Sequence, residues 1–209
     1  MSASASAVTA PQEFTRVGVS FPVSNMNIQV PSGSQAGDIA IAYSSTATGP
    51  APTVYAGFTE IASVNSIFED MFQYKILTSG DLTTTFSRYP DSYDAAIMVT
   101  FRPLNPVTSV NVSWVRNSGE TGGTPNNLFY STSQGNGQSI LIATYSSYGS
   151  EPSINGGSFW DQNYLEVGEG NNMIKMYYKI FSDSSNAGYV TAGDYGGYNI
   201  MMSCVINAS

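Results

Sequence analysis

Four short segments in the first half of the chain return, in the same order, in the second half. Ile39-Ala40-Ile41-Ala42 is matched by Ile140-Leu141-Ile142-Ala143, and Gly57-Phe58 by Ser158-Phe159. Phe72-Gln73-Tyr74-Lys75-Ile76-Leu77 is matched by Met176-Tyr177-Tyr178-Lys179-Ile180-Phe181, and Ile97-Met98-Val99-Thr100 by Ile200-Met201-Met202-Ser203. The offset stays between 101 residues (Ile39 to Ile140) and 104 residues (Phe72 to Met176). Similarity at a fixed spacing marks a repeated supersecondary unit, and two copies are too few for a solenoid. Two arrangements are open: each half is its own small sandwich, or the halves combine into one sandwich with a pseudo-twofold axis. The single sandwich is favoured, because it hides more strand edges and because the stretch 102–131 holds a strand around Trp114 and is not a clean linker.

The repeated unit reads as β-structure. Ile39, Ile41 and Tyr43 fall on one face of an extended segment, and Met71, Gln73, Lys75 and Leu77 alternate with Phe72, Tyr74 and Ile76. Val110 to Trp114 alternates apolar and polar residues without a break. Turn chemistry separates these runs at Pro31-Ser32-Gly33, Ser79-Gly80-Asp81, Asn136-Gly137 and Asn155-Gly156-Gly157. About twelve antiparallel strands are expected, near 26–30, 38–45, 58–65, 69–78, 82–88 and 94–102, and again near 108–116, 138–146, 158–167, 172–181, 188–192 and 198–206. The fold class is all-β: a jelly-roll-like β-sandwich with an internal duplication. Residues 1–12 read as an N-terminal arm, and residues 13–209 as one sandwich domain of two similar halves, about 26–102 and 108–206. The segment Gly119-Glu120-Thr121-Gly122-Gly123 reads as a mobile loop.

Charged residues are 11% of the chain, against roughly 25% in a typical soluble domain. The net charge is −8, and the seven basic residues are scattered. Nucleic-acid binding depends on concentrated Lys and Arg, and an anionic bilayer would repel this chain, so neither is an expected partner. The start MSASASAVTA has no basic or apolar stretch of a signal peptide, and no apolar run approaches the length of a membrane span. Synthesis in a cytoplasm without secretion is the expectation, on which the sequons at Asn111 and Asn207 are chance matches.

The chain has no histidine and one cysteine, Cys204, inside an apolar run. His-based triads, thiol catalysis and structural zinc are therefore excluded. Carboxylate pairs remain for glycoside chemistry: Glu69 with Asp70, or the loose group Asp161, Glu166 and Glu169. Adjacent strand residues point to opposite faces, so Glu69 and Asp70 do not share a site. The other three read as solvated loop charges. Calcium lacks an Asp-rich loop of ligand spacing. The Gly193–Tyr198 stretch is a turn, since no helix or Gly-Lys-Ser/Thr follows it. No catalytic residue, metal or cofactor is expected. The binding candidates are aromatic: Trp160, Tyr145 and Tyr148, which lie near loop-like sequence and offer large contact area.

The run Val30-Pro31-Ser32-Gly33-Ser34-Gln35-Ala36-Gly37-Asp38-Ile39-Ala40-Ile41-Ala42-Tyr43, followed by Gly57-Phe58-Thr59-Glu60-Ile61, Tyr74-Lys75-Ile76 and Ala96–Phe101 with Arg102-Pro103, resembles β-sandwich proteins of tailed-bacteriophage virions. The resemblance covers the chain from about residue 15 and implies a jelly-roll-like domain of a capsid decoration (cement) protein or of a tail fibre. It brings no catalytic residues. A free-standing sandwich with a polar arm and no coiled-coil or collagen-like shaft fits decoration better. The expected role is then adhesive: a homo-oligomer, a trimer by preference, bound between major capsid proteins on the virion surface. The alternative is a receptor- or glycan-binding module of a tail or fibre.

Overall fold

The computed structural model describes residues 14–22, 27–46, 53–65, 69–87, 94–107, 109–121, 128–131, 139–149, 151, 153–155, 157–168, 172–181, 187–190 and 198–208. The strands in the first half are β1 (Phe14–Ser20), β2 (Ile28–Gln29), β3 (Ile39–Thr46), β4 (Thr59–Asn65), β5 (Glu69–Ile76), β6 (Thr85–Phe86) and β7 (Asp94–Pro103). Those in the second are β8 (Val110–Thr121), β9 (Leu128–Ser131), β10 (Ser139–Tyr148), β11 (Gln162–Val167), β12 (Asn172–Phe181), β13 (Ala187–Val190) and β14 (Tyr198–Ala208). The protein is all-β and antiparallel, as its alternation implies. Strands β1 and β9 are additional to those read from the sequence, and Gly119-Glu120-Thr121 is not loop. These three residues end β8, paired with Ile200, Asn199 and Tyr198 of β14. A long partner strand supplies the ladder that the low β-propensity of glycine does not encourage.

Each half builds one five-stranded sheet. The orders are β1-β7-β3-β5-β4 and, read in the matching direction, β8-β14-β10-β12-β11. Each half also builds one short ribbon, β2–β6 in the first and β9–β13 in the second. The duplication therefore extends over seven strands per half. Even the irregularities repeat. In β1 the extra residue is Val17, between the partners of Phe101 and Thr100, and in β8 it is Ser113, between the partners of Ile206 and Val205. Tyr74 lies opposite Ile41, and Tyr178 opposite Ile142, which makes Tyr74-Lys75 and Tyr178-Lys179 register equivalents. Lys75 and Lys179 each meet an aspartate of their own repeat, Asp81 and Asp161, at 2.7 Å.

The two sheets stack with β7 over β12 and β11, β3 over β12, and β4 over β8. Between them lies one apolar cluster drawn from both repeats. It joins Ile39, Ile41, Phe72, Ile97 and Phe101 to Ile140, Ile142, Ile174, Met202 and Ile206. The outer faces are covered as well. In the first repeat Ala40, Ala42 and Met98 lie beneath Ile28, Phe86, Tyr55 and Phe58. In the second, Leu141, Ala143, Met201 and Val205 lie with Ile154 and Trp160. Burial on both faces explains why the central strands read as nearly unbroken apolar runs (IAIA, AAIMV, ILIA) when a half-exposed strand would alternate.

Two polar clusters fasten this frame, and the second joins the two sheets. At one end Arg102 holds Asp38 through two hydrogen bonds of 3.0 Å and also donates to the Gly33 carbonyl at 2.9 Å. Asp38 in turn accepts the Gln35 amide at 2.8 Å. Gly33 and Gly37, at φ 88° and 92°, supply the left-handed turns that this loop needs. At the other end, between the sheets, the fully buried Asp70 accepts Tyr43 Oη at 2.5 Å and Ser146 Oγ at 2.6 Å on the same carboxylate oxygen. Burial, and then the Asp70 charge, push the Tyr43 hydroxyl well above its usual pKa. Asn172 of β12 donates to the Ser45 carbonyl of β3 at 3.3 Å. These bonds tie the first sheet to the second.

A hydrogen bond to a buried charge contributes about 1.5–3 kcal/mol. Tyr43→Phe and Ser146→Ala should each lower the urea-unfolding free energy by about that amount, and the double variant should cost less than the sum because one carboxylate serves both. Additive losses under about 0.5 kcal/mol would show that the Asp70 cluster does not hold the sheets together.

Candidate functional site

The aromatic candidates divide. Trp160 follows a short 3-10 turn at Gly157–Phe159 and turns inward, with 8% of its surface exposed. Its indole Nε1 donates to the Asn155 carbonyl at 3.3 Å, and its ring meets Phe159 (5.0 Å between centroids) and Tyr177 (5.4 Å). Tyr145 is fully buried in the same cluster. Tyr148, three residues further along β10 and so on the other face of the strand, is 45% exposed. The structure thus brings Trp160 and Tyr145 together inside the outer layer, and leaves Tyr148 alone with an accessible ring.

The first repeat shows what that layer does. Tyr55, Phe58 and Phe86 form the same kind of roof, with centroids 5.1–6.3 Å apart. The Tyr55 amide donates to Gln73 Oε1 at 2.7 Å, and the Ile154 amide donates to Tyr177 Oη at 3.0 Å. Gln73 and Tyr177 are register equivalents, so each repeat tethers its roof by a side-chain acceptor at the same place. Trp114 lies in β8 opposite Val205, and its side chain is outside the described residues.

Among the described residues the candidate carboxylates do not converge. Asp161 pairs with Lys179 and accepts the Ile180 amide at 2.7 Å, which fastens the start of β11 to β12. Glu166 is five residues further on, about 16 Å along an extended strand and on the opposite face. Glu169 lies outside the described residues. Glu69 and Asp70 open β5 and point to opposite faces, as adjacency requires, with Asp70 inside the sandwich. Cys204 is buried in the central cluster, where desolvation raises its thiol far above the usual range. Residues 191–197, which include most of the Gly-rich stretch, also lie outside the described residues. Among the described residues no three His, Cys, Asp or Glu side chains are grouped as metal ligands, and no helix is long and apolar enough to cross a membrane.

The side of the sandwich where β1 lies near β11 has a different character. Arg16 Nη1 donates to Tyr164 Oη at 2.5 Å, with the guanidinium 5.9 Å from the ring centroid. Tyr164 stacks on Tyr178 (6.4 Å, 22°), whose hydroxyl is pushed up to about 12, chiefly by burial. Beside them Leu165 and Val167 are 36% and 53% exposed. Glu166 is half-buried, and desolvation raises its carboxyl to about 7. No feature of the sequence marks this edge, because its members are single residues of ordinary type.

No protein-family model, curated protein or solved structure matches this chain.

Trp160→Ala should destabilise the fold by about 3–5 kcal/mol through the cavity it leaves. Tyr148→Ala should stay within about 0.5 kcal/mol. Chemical denaturation of the two variants checks the contrast, and equal midpoints would show that Trp160 does not support the roof.

Proposed function

We propose that this chain is a virion structural protein, a capsid decoration protein of jelly-roll-like form that binds as a homo-oligomer, a trimer by preference, between major capsid proteins. The observation that carries the reading is how the charge is used. Of the five basic side chains that the structure describes, four are ion-paired within the chain: Lys75 with Asp81, Arg102 with Asp38, Lys175 with Glu151 and Lys179 with Asp161. The fifth, Arg16, is bonded to Tyr164. Among the described residues the rest of the exposed surface is mostly hydroxyl, amide and isolated apolar groups, which suits adhesion by shape and hydrogen bonding over a standard interface of about 1,200–2,000 Å². Many copies on a symmetric shell would then add through multivalency. The resemblance of the Val30–Tyr43 opening and of Arg102-Pro103 to phage virion sandwiches supports the same role. Asp38 and Arg102 within those motifs clamp one another, so the resemblance falls on a folding element of this chain.

Particles that carry the protein should resist heat or osmotic shock better than particles from which it has been removed, and adding purified protein back should restore the difference. Imaging of the intact particle should place it on the head. Equal resistance with and without the protein, or density confined to the tail, would overturn the reading.

A further inference from the structure

Four strands form the edges of the two five-stranded sheets among the described residues, and three of them are interrupted. Strands β1 and β8 carry the bulges described above, and β4 carries one at Ile61, between the partners of Gln73 and Phe72. A bulge twists an edge away from further pairing. Strand β11 has none: Gln162 to Val167 run in unbroken register along β12.

The direction of its hydrogen bonds follows from its ends. The Gly168 amide donates to the Asn172 carbonyl at 2.7 Å, so the even-numbered residues of β11 face β12. The N–H and C=O groups of Asn163, Leu165 and Val167 therefore point away from the sheet. Their side chains lie on the outer face, where Leu165 and Val167 are exposed. Tyr164 and Glu166 lie on the inner face.

We propose that β11 is a self-association edge and that its occupant is β11 of a second copy of this chain, paired antiparallel about a twofold axis at Leu165. In that register Leu165 exchanges both main-chain bonds with its own counterpart, and Asn163 does so with Val167. The exposed Leu165 side chains meet on the outer face. On the inner face Glu166 of each copy lies directly opposite Tyr164 of the other, at the close spacing of a non-hydrogen-bonded pair. Tyr164 carries Arg16 on its hydroxyl. The contact thus places the Glu166 carboxylate beside the guanidinium of the other copy, twice by symmetry. Within one chain Glu166 has no ion pair or hydrogen bond among the described residues. The complementarity of register, apolar contact and charge selects a second copy over an unrelated strand. This inference concerns contacts between copies and does not depend on the decoration reading. A twofold contact can also join two trimers, so it predicts even-numbered assemblies.

Sedimentation and native mass measurement across a concentration series should show the purified chain as a dimer or a multiple of two. Leu165→Pro should weaken this association about tenfold or more, because its amide points outward and proline there removes no bond within the sheet. Glu166→Arg should do the same by placing two cations together, and Arg16→Glu with Glu166→Arg should restore association. Should the proline variant lose its β-sheet circular dichroism, the charge exchange alone decides. A chain that stays monomeric at all concentrations would overturn the proposal. So would an odd-numbered assembly whose mass these changes leave unaltered, or failure of the exchanged pair to restore association. Equal particle resistance with and without the protein, with self-association intact, would count against the decoration role only.

Discussion

Both five-stranded sheets are apolar on both faces, and neither can remain in water without a cover on each side. That constraint generates the layering. One face of each sheet is covered by the other repeat, which places Ile39, Ile41 and Phe101 against Ile140, Tyr178 and Ile206 in one shared cluster. The other face is covered locally by an aromatic roof. The two covers differ in kind. The central one needs large branched side chains from two sheets, whereas in the first repeat the outer one lies over Ala40, Ala42 and Ala96, whose small size leaves room for the rings of Tyr55 and Phe58. Residue size along β3 therefore records which layer each side chain meets.

A duplicated sheet faces a problem of register, since two similar apolar surfaces can slide past one another at little cost. The polar groups at the seam remove that freedom, and they do so by breaking the repeat. Asp70 has Ile174 as its register equivalent, so the buried carboxylate belongs to one repeat only. Its oxygen is reached by Tyr43 from its own sheet and by Ser146 from the other. Burial of an ion costs several kcal/mol unless donors surround it. A displaced sheet would withdraw Ser146 and leave that cost uncompensated. The cluster therefore contributes less to net stability than to the choice of one stacking over its neighbours, a use for which buried polar groups are suited.

Much of this was legible from residues alone, and the failures have physical causes. The alternation of Phe72, Tyr74 and Ile76 against Met71, Gln73 and Lys75 correctly gave the two faces of β5, and the repeat was visible at a spacing of 101 to 104 residues. Strand β1 was missed because its bulge shifts the phase. Phe14 and Val19 both face the centre although they are five residues apart, so no period of two runs through the segment. The similarity of Ile97–Thr100 to Ile200–Ser203 is also displaced. Ile97 lies opposite Tyr43, whose counterpart Thr144 lies opposite Met202 and not Ile200. A slip of two preserves the face of every residue, and sequence similarity does not detect it. Trp160 and Tyr145 are binding candidates in the sequence because they adjoin loop-like sequence, with core packing as the other reading, and both are buried. Composition near a loop does not say whether a ring points out to solvent or down onto the sheet beneath it.

The same geometry accounts for where contact with other chains can arise. Stacking two open sheets leaves four edges, and each edge carries main-chain groups that would pair with any extended strand. Bulges at Val17, Ile61 and Ser113 bend three of them out of use. The counterpart of β4 in the second repeat is β11, and the bulge present in the first is absent from the second. Duplication gives two copies the same starting edge, and only one needs protection if the other acquires a use. Lys179 and Asp161 anchor the start of β11 to β12, and the register runs unbroken past the exposed Leu165. An edge in unbroken register, uncharged on its outer face and carrying a half-buried acid beside an arginine-capped tyrosine, is the part of the described surface best fitted to meet its own copy.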